Sequence, residues 1–254
     1  MRPLIAAAGA VALATAVAGC GMAGPDQGGT TAPVESGPLG TWTPPVPAPL
    51  SPVASYRAAV DVALADHLRV WIEADLVKRW EEGPKWFRAA VSRVAVLANR
   101  PGVIGIKVAD ELGYNDGMNS VSKIRQFLSD TAKALHAATP GKLILVDMVV
   151  PQLGCLPGHQ PAGSPAAACA AQAEADYPQL SLPWVDGYLR MHAIDVLDLS
   201  TYLQSDGTYA GWGTTTDAAQ TVAWREVNRR GWPSLVRLQA RKALAHPASY
   251  QGTA

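Results

Sequence analysis

The chain is short of several things. It has only two phenylalanines, and its lysines and arginines equal its aspartates and glutamates at 21 each. A formal net charge of zero argues against a nucleic-acid partner, whose phosphates demand a basic surface. There are three cysteines, Cys20, Cys155 and Cys169, too few for a disulfide scaffold. The five histidines show no metal-ligand spacing, and neither His159 nor His246 has a Cys, His or carboxylate patterned around it, so no metal site is expected. No glycine-rich phosphate loop or nucleophile elbow is found and no cofactor is implied. Beyond the N-terminus, no apolar run is long enough to span a membrane.

That N-terminus is distinctive. Arg2 precedes an apolar run from Leu4 to Ala18, followed by Val17-Ala18-Gly19-Cys20. A short apolar run ending in small residues is the secretory pattern, so residues 1–19 read as a signal peptide. Cys placed directly after Ala-Gly resembles the lipobox of bacterial lipoproteins, which implies lipidation at Cys20. The expectation is a protein lipid-anchored to the extracytoplasmic face of the cell membrane and acting as a monomer. An ordinary signal peptide with an incidental Cys is the simpler alternative. Residues 20–53 are rich in Gly, Pro, Ser and Thr, with Pro44, Pro45, Pro47, Pro49 and Pro52 close together. Such composition favours a disordered tether over a packed element, or less simply a proline-rich ligand. In an exported setting Cys155 and Cys169 are expected to pair and staple a Pro-, Gly- and Ala-rich loop; two free thiols are the alternative.

From residue 54 to 254 short aliphatic runs alternate with helical stretches. Strands are predicted near Arg69–Leu76, Val103–Ala109, Lys142–Val150, Ile194–Tyr202 and Val236–Leu244. Helices are predicted over Ser55–His67 with Ser55 as N-cap, Pro84–Asn99, Ser120–Ala138 and Thr216–Arg229. This alternation predicts a parallel sheet with helices packed outside it. Within the strands one face is aliphatic, as in Val70, Ile72, Ala74 and Leu76, or Ile104, Ile106 and Val108. The other carries Glu73 and Asp75, Lys107, Asp147, Asp198 and Ser200, then Arg237, Gln239 and Arg241. A doubly wound sheet needs two apolar faces. One charged face fits an α/β protein of the TIM-barrel type, incomplete because five strands are found where a full barrel has eight.

The segment Gly105-Ile106-Lys107-Val108-Ala109-Asp110-Glu111-Leu112-Gly113 resembles the acid-bearing strand end of exported (β/α)8 glycoside hydrolases. Asp110 stands where many of them have Asn. The resemblance implies Glu111 as a catalytic acid at the barrel mouth, and residue chemistry offers Asp147 as its carboxylate partner with Asp75 as substitute. Glu73, Lys107, Asp198, Tyr202, Trp212 and Arg241 are the expected substrate-binding residues, with a carbohydrate as the ligand. Indoles stack on sugars, and Trp212 and Trp80 follow strands. Trp86 and Trp224 are expected to pack between helix and sheet. The rival reading is that these charges satisfy one another in a polar interior, making a non-catalytic ligand-binding lipoprotein.

Overall fold

The computed structural model describes residues 11–14, 54–158 and 160–241. Cys20, the tether, His159 and His246 lie outside the described residues. Strands β2 (Arg69–Glu73), β3 (Val103–Ala109), β4 (Leu143–Val149), β5 (Val196–Ser200) and β6 (Arg237–Arg241) form an all-parallel sheet in sequential order. A sixth strand, β1 (Val11–Ala14), extends it beside β2. Among the described residues no ladder joins β6 back to β1.

The helices share one face. A single core cluster joins Val70, Ile72, Ile106, Val108, Ile144, Val146, Leu197 and Leu199 from the strands to helical side chains. Those come from α1 (Ala54–Ala65), α3 (Pro84–Ala98), α4 (Val121–Ala138), α6 (Leu182–Leu189), α8 (Thr216–Arg229) and α9 (Trp232–Leu235). α2 (Leu76–Glu81) adds Leu76 and Val77 to the same cluster, and the remaining helices are α5 (Pro165–Asp176) and α7 (Asp206–Gly211). The opposite face carries only strand residues in its small apolar cluster: Trp71, Leu145 and Val196, with Ile104 and Leu143 against them. The period-two alternation thus separates a thick helix-covered layer from an uncovered face.

Local differences from the expected elements have clear causes. β2 ends at Glu73, because Asp75 caps α2 through the Lys78 amide (3.5 Å), so Asp75 and Leu76 leave the strand. α1 already includes Ser55, so Ser55 is inside the helix and is not its cap. Ile104 does not join Ile106 in the main core: the β2–β3 register steps from Val70↔Val103 to Trp71↔Gly105, a bulge that turns Ile104 toward the opposite face. The Trp71 indole lies over Gly105, where any Cβ would collide with it.

The cysteine segment is not simply a loop. Cys155 lies in a 3₁₀ turn, Pro151–Cys155, and Cys169 inside α5; the two form a disulfide with Cα atoms 5.6 Å apart. Ser164 caps α5, Pro165 occupies its first turn, and the alanine-rich run that follows is strongly helix-forming. Trp86 is 43% exposed on the outside of α3, while its neighbour Phe87 fills the core. Trp224 packs against the core as expected. Trp80 is no mouth residue: it packs edge-on against Phe127 (6.0 Å) and donates to Asp130 (2.9 Å).

Candidate functional site

At the C-terminal half of the face opposite the helices, parity and register bring charges together. Glu73 pairs with Lys107 across β2–β3, and Asp147 with Asp198 across β4–β5. Lys107 Nζ lies 2.8 Å from Asp110, 3.1 Å from Glu73 and 3.5 Å from Asp147. Its side chain is only 9% exposed and that of Asp147 is fully buried. Burial lowers the Lys107 pKa, but Asp110, Asp147 and Glu73 together outweigh it and hold the ammonium charged far above the ordinary lysine range. Asp198 and Ser200 are buried on the same face. Glu73 Oε2 and Ser200 Oγ have no hydrogen-bond partner among the described residues. Arg241 sits opposite Ser200 in register; its side chain lies outside the description.

Glu111 caps β3. Its backbone is left-handed (φ 52°), a strained conformation for a residue with a Cβ, and its carboxylate accepts from Asn115 Nδ2 at 2.5 Å. The next residue is tied to β4, with Leu112 N donating to the Asp147 carbonyl (2.9 Å). Asp116 Oδ1 accepts from Gly113 N and Met118 N and so shapes this loop. Burial raises the Asp116 carboxyl above its ordinary value against those backbone donors, with nearby Asp75 pushing the same way.

Tyr202 follows β5 in a second left-handed turn (φ 53°). Its hydroxyl meets that of Tyr114 at 3.1 Å, and Tyr114 also stacks on Tyr177 with centroids 4.7 Å apart. Burial, then the bond to Tyr202, pushes the Tyr114 hydroxyl well up, so it remains a neutral phenol. The ends of β3 and β5 are thereby linked across β4. Gly154 completes the arrangement, because a Cβ there would strike the Tyr202 carbonyl.

The expected residues thus separate into groups. Glu73, Lys107, Asp147 and Asp198 share the face opposite the helices; Glu111 and Tyr202 follow β3 and β5, on either side of β4. Asp75 is exposed at the head of α2. Trp212 lies apart, edge-on to Tyr209 (5.5 Å), beside a cavity of about 230 Å³ formed with Leu156, Pro161 and Pro165. Tyr114, Asn115 and Asp116 escaped sequence reading, because their roles come from a loop fold rather than a strand period. Trp71 shared the parity of Glu73 and could have been found. With Arg69, Arg237, Ile104, Leu143 and Val196 it lines a cavity of about 270 Å³ at the opposite, N-terminal end of that face. No group of three or more metal-ligating side chains and no membrane-spanning helix occurs among the described residues.

The fold and site define an α/β protein with a sequentially ordered parallel sheet, core-forming helices on one face, and charged side chains on the other toward its strand ends. No protein-family model, curated protein or solved structure matches the chain.

Proposed function

We propose that this is a lipid-anchored, extracytoplasmic, glycoside-hydrolase-like protein on an incomplete TIM-type barrel, acting on envelope or environmental glycans. Sequential strand order, parallel pairing and helices on one face support the barrel reading. Residues 1–19 as a leader and Cys20 as the lipidated residue support the address. Processing before Cys20 would also remove β1 and leave β2 as a sheet edge.

The observation that carries the catalytic reading is the strained turn at Glu111, matched by the one at Tyr202. Left-handed backbone at residues with a Cβ costs on the order of 1–3 kcal/mol each; His67, Leu156 and His192 share it, and Glu111 and Tyr202 differ from them in following β3 and β5, on either side of the strand that carries Asp147. Glu111 is the proposed acid, protonating the leaving oxygen, with Asp147 the ionised partner and Asp75 its substitute. Glu73, Lys107, Asp198, Tyr202 and Arg241 would bind the sugar, with Trp212 more distant.

A second reading is favoured by one specific observation: Asp147 is fully buried behind Lys107, as in a structural ion cluster. On that reading the same mouth binds a ligand without cleaving it. Incubating the purified lipoprotein with a glycan panel separates the two. Glu111→Gln is expected to lower turnover about 10²–10⁴-fold without unfolding the chain. Unchanged turnover removes Glu111 from the chemistry, and saturable binding without any turnover assigns the ligand-binding reading.

A further inference from the structure

We infer that the outer face of α3 is a membrane-contact surface for an anionic phospholipid bilayer. α3 is the only described helix of eight or more residues with basic side chains and no acidic one: Lys85, Arg88 and Arg93. In a chain of zero net charge this is a local concentration, not a global excess. Helical spacing explains its direction. Phe87, Val91, Leu97 and Ala98 face the core; away from it Trp86, Arg88, Ser92 and Val96 are exposed, with Lys85 and Arg93 half-buried among them. Trp86 is 43% and Val96 52% exposed, large for apolar side chains in a helix with a well-packed inner face.

Several acids of the described residues are engaged with other cations. Asp61 pairs with Arg100, Glu82 with Arg79 and Glu81 with Lys123. Arg88 and Arg93 have no ion-pair partner among the described residues. The Lys85 ammonium lies 5.9 Å from the Trp86 ring centroid, so cation and indole are presented together. Indole beside basic groups suits the headgroup layer, where the ring reaches the acyl boundary and the cations meet lipid phosphates. Trp184 is exposed to the same 43% on α6, a helix with Asp186 and no basic residue; it lacks the charge complementarity that selects this occupant.

This inference is independent of the catalytic reading and of what holds the N-terminus to the membrane. The full chain is mixed with phosphatidylcholine vesicles, with or without phosphatidylglycerol, whose acyl chains are brominated near the headgroup. Tryptophan quenching is expected only with the anionic vesicles. Trp86→Phe is expected to abolish most of it, and Trp184→Phe to leave it intact. Arg88→Gln and Arg93→Gln should each weaken the docked state about fivefold, and about 0.5 M salt should act similarly. Equal quenching on both vesicle types, or quenching that survives Trp86→Phe, overturns the proposal. So does a chain that stays on vesicles with α3 unquenched, which leaves attachment to the N-terminus alone. Concentration-dependent self-association lost in Trp86→Phe would give the face to a second copy instead, and equally overturn it.

Discussion

Two ion networks in this molecule are built from the same groups on opposite sides of the sheet. On the helical side, Glu226 takes two bonds from Arg229 (2.6 and 2.7 Å) and one from Arg230 (2.7 Å). Arg230 and the Trp232 indole both donate to Asp186 at 2.7 and 2.6 Å, locking α6, α8 and α9 together. Two arginines serve two carboxylates, and planar guanidinium forks match them bidentately. On the other side a single lysine, a point charge, is shared by three carboxylates, and two neighbouring polar atoms lack partners among the described residues. Matched stoichiometry marks the first as a structural lock; the second leaves more carboxylates than cations around one ammonium.

The largest expected effect tests the role of the shared cation. Lys107→Met leaves Glu73 and Asp147 beside no ammonium in a buried setting and should destabilise by about 3–5 kcal/mol, read from urea unfolding. A loss under about 1 kcal/mol would mean that other groups neutralise the cluster. Next in size is the disulfide, which touches neither network. Removing it with Cys155→Ala and Cys169→Ala frees a loop with a sequence separation of 14 residues. For that length the cost is about 3 kcal/mol, and mass spectrometry of the purified, non-reduced protein checks that the bridge forms.

Glu226→Gln should cost about 2 kcal/mol, the worth of charge-assisted bonds. Its pH dependence has a definite sign. Arg229 chiefly, and Arg230 after it, hold the Glu226 carboxyl below its ordinary value. Its stabilisation is therefore complete above the unfolded glutamate pKa and disappears as pH falls through the lowered one. Unfolding curves of wild type and Glu226→Gln should converge in acid; a gap that widens there would contradict this origin. The smallest effect is of opposite sign. Ser200→Ala deletes a fully buried hydroxyl without a partner among the described residues, and should stabilise by about 1 kcal/mol while weakening any ligand at the mouth.

Much of this was legible in residue order. Thr216–Arg229 is the observed α8, and Ser120 is the observed cap of α4. The alternation around Asp147 and Asp198 put both on one face. Where prediction and structure part, a contact distant in sequence or a competing local preference decides. An Asp75 cap ends β2 early, a bulge turns Ile104 over, and alanine helicity makes α5 where a loop was expected. The Glu111 loop is shaped by Asn115 and Asp116, and its tyrosine reaches Tyr202, 88 positions away. No window of local sequence contains that pairing.

Period and composition alone determined the alternation of strands and helices, the division into an aliphatic and a charged face, and the cysteine pair. Each depends on backbone geometry repeated over a few residues, or on the scarcity of cysteine in the chain. Tertiary structure alone decided which carboxylates share Lys107, that Trp86 points outward while Phe87 points in, and that the left-handed turns at Glu111 and Tyr202 lie on either side of β4. Those outcomes depend on strand register and loop path, and these are set by packing between segments that are remote along the chain.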